Sequence, residues 1–405
     1  MAQKHRQEKN MNKTPENPQA ARTCPYQKKC GGCSSIGTDY QASLQEKEKR
    51  IRTLLKPFVS LDGIVGMEQP YHYRNKVHWS FGMTRNGRRM CQTAGIYAEG
   101  THKIVPIEEC LIENETADAI IRDIRDLAAS FKIRFYDEDT QTGLLRHILV
   151  RTAHATGQVM VVLVLASPVL PGKNNLIRVL RGKHPEITTI VINVNDRSTS
   201  MILGDRETAA YGRGWIEDEL CGRRFRISSR SFYQINSVQT EKLYQTAIGY
   251  AQLTGKETVI DAYCGIGTIG IAAAGQAGEV LGIELNRDAV RDACANAKRN
   301  QTENIRFLNQ DATACLLQMA ADRRKADVVF MDPPRSGSTE AFMKSVAALS
   351  PERVVYISCG PDTLARDLKY FAGLGYKARK AEAFDMFPFT DHVETVVLMS
   401  RVEGK

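Results

Sequence analysis

From Tyr244 onward the chain alternates short apolar runs with helical stretches, and the runs at 258–260, 280–283, 305–308, 328–331 and 354–357 read as strands. Strands that alternate with helices predict an α/β fold built on a doubly wound parallel sheet. Ligands of such sheets bind beyond the carboxyl ends of the strands. The residues that close each run are therefore the first to read for chemistry.

The first run closes on Asp261 and leads through Tyr263, Cys264, Gly265, Ile266 and Gly267 to Thr268, where a helix begins. Gly265, Gly267 and Gly270 satisfy a G-x-G-x-x-G spacing, which alone is weak evidence for a dinucleotide. Glu284 closes the next run and is placed to hold ribose hydroxyls. A carboxylate at Asp261 would repel a pyrophosphate but attract the ammonium of a methionyl group, so S-adenosylmethionine fits better than NAD. The structural alternative is that Asp261 caps the following turn. Asp311 and the Asp332-Pro333-Pro334-Arg335 stretch follow the next two runs, so Asp261, Glu284, Asp311 and Asp332 are expected to line one crevice. An aromatic after the two prolines would suggest methylation of an amino group; Arg335 stands there instead.

The fifth run delivers Ser358, Cys359 and Gly360 to the same edge, where a thiol is placed to act as a nucleophile. The stretch Phe387-Pro388-Phe389-Thr390-Asp391-His392-Val393-Glu394 follows, and a hairpin there would return Glu394 over the site. His392 is a less favoured base. A thiol, a carboxylate and a sulfonium methyl donor suit a poor carbon nucleophile such as C5 of uracil. Thiolate addition at C6 activates C5, and a base must later remove the C5 proton. The nucleotide would have to be single-stranded or flipped out.

The net charge of +9, from 55 basic and 46 acidic residues, favours a polyanionic partner such as nucleic acid. The surplus lies ahead of the parallel-sheet region, which separates gripping from chemistry. Residues 1–19 are polar, broken by Pro15 and Pro18, and lack the apolar core of a signal peptide. No apolar run approaches a membrane span. A soluble, cytoplasmic protein without membrane contact or an obligate protein partner is expected. In that reducing setting the ten cysteines read as ligands, catalytic groups or buried packing. Cys24, Cys30 and Cys33 follow a C-x5-C-x2-C spacing around Gly31 and Gly32. Zinc and an iron–sulfur cluster both suit three such thiols, and Cys91 and Cys110 are nearby candidates for a fourth. A helix over 40–55 follows. Between 71 and 230 the runs at 76–81, 148–152, 159–165 and 189–194, with one helix over 115–131, predict an α+β unit of mostly antiparallel strands.

Together the stretches CPYQKKCGGC, SFYQIN (231–236), DAYCGIGT, the Glu284 strand end, DPPR, SCG and DHVET resemble the RNA uracil-5-methyltransferases, especially the 23S rRNA branch that carries an iron–sulfur cluster. The resemblance implies a [4Fe-4S] cluster on Cys24, Cys30, Cys33 and Cys110, which leaves Cys91 an ordinary cysteine. It implies S-adenosylmethionine contacts from Gln234, Tyr263, Thr268, Glu284, Asp311 and Asp332. Cys359 would be the nucleophile and Glu394 the proton-abstracting base. The domains that follow are a disordered basic tail (1–22), a cluster segment with its linking helix (23–69), a central RNA-binding domain (70–231) and a Rossmann-like methyltransferase domain (232–405). Arg74, Lys76, Arg146 and Arg151 would be candidate phosphate contacts, and RNA, 23S rRNA in particular, the partner. Members of this branch often begin with a small OB-like (TRAM) domain; only about twenty residues precede Cys24 here, too few for any domain.

Overall fold

A computed structural model describes residues 17–402. The C-terminal half forms an eight-stranded sheet in the order Leu61–Val65, Tyr376–Phe384, Glu394–Arg401, Arg353–Ser358, Val328–Met331, Thr258–Ala262, Glu279–Glu284 and Ile305–Asn309. The five strands from Arg353–Ser358 onward are parallel to one another. Glu394–Arg401 runs antiparallel to both its neighbours. Val328–Met331 is buried at every position, as a central strand covered by helices on both faces must be. Helices Ser237–Ala251, Thr268–Ala274 and Arg287–Arg299 cover one face. Ala312–Ala321, Glu340–Leu349 and Pro361–Gly373 cover the other, joined by Tyr40–Leu55 through Ile51 and Leu55. This is the expected Rossmann-like α/β arrangement.

The edge strand Leu61–Val65 was not foreseen. It pairs with Tyr376–Phe384, so the segment 23–69 contributes a helix and a strand to the C-terminal layer. Residues 17–22, expected within a disordered tail, also lie against the body. The Arg22 amide donates to the Tyr71 hydroxyl at 3.0 Å, and the Gln19 side-chain amide donates to the Met67 carbonyl at 2.9 Å. The rest of the expected tail, residues 1–16, falls outside the described residues.

The central sheet has seven strands in the order Ile104–Pro106, Arg89–Tyr97, Lys76–Asn86, Leu145–Thr152, Val159–Leu165, Ile187–Val194 and Arg206–Tyr211. It is antiparallel except for Val159–Leu165 with Ile187–Val194, which are parallel and joined through an unforeseen helix, Lys173–Lys183. That helix and Glu115–Leu127 bury one face of the sheet. The hairpin Trp215–Leu220 with Arg223–Ser228 packs on the other face. Its Ile216, Phe225 and Ile227 share one core with Met160 and Val162 of the central sheet and Val259 and Val328 of the C-terminal sheet. A division at residue 231 thus separates in sequence what packing joins. Among the described residues no helix is long and apolar enough to cross a membrane.

Beside this shared core lies a small one of Ile36, Tyr40, Met67, Tyr71, Tyr73, Ile112 and Phe389. The fully buried Phe389 ring stacks on Tyr71 at 4.8 Å between centroids and meets Tyr40 at 5.6 Å. Phe389→Ala is expected to lower unfolding free energy by about 3–5 kcal/mol in urea titration. A loss under about 1 kcal/mol would mean that this small core does not hold the two chain segments together.

Candidate active site

The five adjacent parallel strands present, in spatial order, Cys359, Asp332, Asp261, Glu284 and Asp311 at or just beyond their carboxyl ends. One row thus gathers all the strand-end residues picked out by the rhythm of the sequence. Glu284 is held from two sides: Oε2 accepts the Gly265 amide at 3.1 Å and Oε1 the Asn286 amide at 2.7 Å. The loop over it is tight. Tyr263 has φ of 65°, and Gly267 has φ of 82° with space so limited that a Cβ would meet the Phe307 ring at 2.8 Å. A side chain at 267 is excluded both by conformation and by packing.

Asp261 is turned into the helix that follows. Its Oδ2 accepts the Gly270 amide at 2.8 Å, and burial pushes its carboxyl up to about 7, against the Gly270 hydrogen bond and with Asp332 and Glu284 adding to the rise. One of its two carboxylate oxygens therefore serves the turn, as the structural alternative expected. Asp311 is exposed and caps the helix Ala312–Ala321 by accepting the Ala314 amide at 2.9 Å. Thr268 lies 3.4 Å from the Tyr244 hydroxyl through its own hydroxyl. Gln234 is nearly buried, and its carbonyl accepts from the Asn75 side chain at 2.9 Å.

Cys359 directly follows Arg353–Ser358, and Ser358 pairs with Thr395 in antiparallel register. This register sets Glu394, the first residue of the central antiparallel strand, beside the thiol. Glu394 is 3% exposed. Burial raises the Cys359 thiol to about 11, and the carboxylates of Glu394 and Asp332 raise it further than Arg335 lowers it. The start of helix Pro361–Gly373 and the Arg335 guanidinium would favour a thiolate; desolvation with two carboxylates prevails. Burial and then Asp332 push Glu394 up to about 8, with Arg335 opposing, and burial pushes Asp332 to about 7. Desolvation thus shifts both the thiol and the carboxyl toward their neutral forms.

Two groups at this site were given no role by the sequence reading, which took Arg335 only as a sign against amino-group methylation and did not pick out Tyr244. Arg335 is the only cation to affect both Cys359 and Glu394 among the described groups, and its position after the two prolines was the available signal. Tyr244, whose hydroxyl is pushed up by burial and by Asp332, faces the same crevice with no motif to mark it.

Cys24, Cys30, Cys33 and Cys110 line one cavity of about 30 Å³, walled by Ile36, Ile96 and Ile107. Cys91 is not among its lining residues. Burial raises the Cys30 and Cys110 thiols, and Cys33 reaches about 11. Among the described residues no three His, Cys, Asp or Glu side chains stand in a ready metal-binding arrangement. The thiols surround the cavity without already converging on a point.

Two of the four expected phosphate contacts are corrected. Arg146 is buried and donates to the carbonyls of Asn195 and Arg197 at 2.9 and 2.7 Å. Arg151 is buried and donates to Ser229 and Ser231 carbonyls at 3.3 and 2.5 Å. Both tie loops to the sheet. Arg74 is half-buried near Cys33 and Cys110, and Lys76 is exposed.

Fold and crevice together define a Rossmann-like methyltransferase. The family model described as tRNA (Uracil-5-)-methyltransferase matches residues 209–402. A protein described as an uncharacterized RNA methyltransferase of Halalkalibacterium halodurans is 40% identical over 381 residues, covering 93% of this chain and 82% of the relative. One from Listeria innocua is 42% identical over 381 residues, covering 93% and 83%. The crystal structure of Pyrococcus abyssi tRNA (uracil-54, C5)-methyltransferase, in complex with S-adenosyl-L-homocysteine, superposes with a TM-score of 0.75. It is 26% identical and covers 93% of this chain and 87% of that one. The chain belongs to the S-adenosylmethionine-dependent RNA (uracil-5-)-methyltransferase family.

The electrostatics give a stability test. Because the Glu394 carboxyl lies above its ordinary 4.5, its contribution to folding is complete below that value and is lost as pH rises to about 8. Glu394→Gln cannot ionise, so its melting temperature relative to wild type should climb between about pH 5 and 8 and then level off. A constant difference across that range would mean that residue 394 is not held in a desolvating site.

Proposed function

We propose that the protein methylates C5 of a uridine in 23S rRNA through a covalent adduct between Cys359 and C6. The observation that carries this reading is the register that sets Cys359 beside Glu394 in a row of strand ends. Cys359 gives up its proton to solvent, its sulfur bonds to C6, and the C5–C6 electron pair moves to C5. S-adenosylmethionine, when bound, supplies an electrophilic methyl group, which C5 takes. Glu394 then removes the C5 proton, the C5–C6 double bond re-forms, and the Cys359 thiolate is expelled. Both acid–base groups are offset upward by burial, so addition and proton abstraction both quicken as pH rises toward 8 and beyond. Glu284 would hold the donor's ribose. Gln234, Tyr263, Thr268, Asp311 and Asp332 would complete its site, although the carboxylate of Asp311 already spends one oxygen on a helix cap.

We assign the four cysteines at the small cavity to a [4Fe-4S] cluster. Four thiols with apolar walls suit this donor chemistry. The cluster, when bound, would tie the 24–33 segment covalently to Cys110. The cysteine set is also the feature that favours 23S rRNA. A tRNA substrate is the second reading, favoured by the likeness to the P. abyssi tRNA enzyme over 93% of the chain. A cytoplasmic location belongs to this reading. Methyl mapping of 5-methyluridine by mass spectrometry in rRNA and tRNA from a deletion strain decides between them.

Cys359→Ala is expected to abolish methyl transfer, and retained turnover would remove the covalent route. Glu394→Gln should add to uracil and accept the methyl group yet stall, so that a covalent protein–RNA species accumulates on denaturing gels. Normal turnover without that species would transfer the base role to His392 or water. Anaerobic preparations should be brown and contain iron and sulfide; stoichiometric zinc would overturn the cluster assignment.

A further inference from the structure

Glu394 begins its strand at the end of a nine-residue connection, 385–393, and this connection is held from outside its own sheet. Lys47, on the helix Tyr40–Leu55, is 6% exposed. Its ammonium donates to Asp385 Oδ1 at 2.7 Å and to the carbonyls of Phe387 and His392, each at 3.1 Å. The second carboxylate oxygen of Asp385, itself 1% exposed, accepts the Tyr40 hydroxyl at 2.9 Å. Further along, the Tyr73 hydroxyl donates to the Pro388 carbonyl at 3.2 Å, and Arg50 to that of Asp391 at 3.2 Å. The amides of Ser34 and Ser35 both donate to the Phe389 carbonyl, at 3.0 and 3.2 Å. Phe389 has φ of 63°, a conformation that persists in a non-glycine residue only where its surroundings enforce it. One ammonium therefore bridges the two ends of the connection, two residues short of Glu394.

A lysine and an aspartate this deeply buried are not needed for packing, since a matched apolar pair serves a core as well or better. What this pair supplies is direction: three acceptors on different residues converge on one nitrogen. We propose that Lys47, with Asp385, is a positioning residue for the reaction, fixing the 385–393 connection so that the Glu394 carboxyl meets the C5 proton of the methylated adduct. This rests on the reading of Glu394 as base.

Removing the ammonium should therefore harm proton abstraction more than methyl transfer. The test uses the full chain, S-adenosylmethionine labelled in the methyl group, and bulk RNA from a strain lacking the enzyme. Lys47→Met is expected to keep first-turnover methyl transfer and S-adenosylhomocysteine affinity within about threefold of wild type. Release of RNA should slow at least about tenfold, with a labelled covalent species accumulating, and hydrogen exchange in peptides spanning 385–394 should rise at least about tenfold. Asp385→Asn, nearly identical in shape, should act in the same direction and carries the comparison if Lys47→Met does not fold. Loss of transfer, release and cofactor affinity together, or unchanged exchange in the connection, would overturn the proposal. Glu394→Gln run alongside separates the two readings. If it stalls and Lys47→Met does not, the positioning role fails alone. If it turns over normally, the base assignment fails, and exchange in 385–394 still decides whether Lys47 holds the connection.

Discussion

The antiparallel pairing of Glu394–Arg401 with Arg353–Ser358 is the contact on which the site depends. Side chains on a strand alternate between faces, so a slip of one residue would send Glu394 to the opposite face and leave Cys359 beside a threonine. Val396, Val397, Leu398 and Met399 are all buried, split between the two cores on either side of the sheet, so a slip would force each into a space shaped for a different side chain. Close packing on both faces of this strand thus holds together a thiol and a carboxylate that are 35 positions apart in sequence.

Desolvation gives the crevice its chemical character. Asp261, Asp332, Glu394 and Cys359 are all displaced toward their neutral forms, burial being the largest cause in each case. A free enzyme in this state keeps its sulfur as a thiol, which resists oxidation better than a thiolate. Arg335, exposed at the rim, is the opposing influence on both partners.

Much of this was legible in the sequence where a residue's role follows from local pattern. The strands Val159–Leu165 and Val328–Met331 appear at the bounds their apolar runs suggest, because burial on both faces writes an unbroken signal. The strand ends Asp332 and Cys359 followed from the same rhythm. Leu61–Val65 was illegible because Asp62 and Gly63 break its pattern and its partner lies far along the chain. The helix Lys173–Lys183 buries only Leu176 and Leu180, and Ile177 and Val179 between them blur the helical period. Arg146 and Arg151 looked like solvent-facing charge; only the fold reveals that backbone carbonyls of distant loops use their guanidinium groups. The clasp of Lys47 and Asp385 had no spacing to betray it, being a contact between residues 338 positions apart.

The edge strand Leu61–Val65 has a bearing on how the chain reaches its native state as it leaves the ribosome. Its partner Tyr376–Phe384 is synthesised roughly three hundred residues later, and Glu394–Arg401, which fills the space between that partner and the rest of the sheet, later still. Through most of translation the early strand carries unpaired amides and carbonyls, the template on which sheets wrongly join. The central sheet, all of whose strands are made in between, can be complete before the layer that holds the catalytic pair has closed.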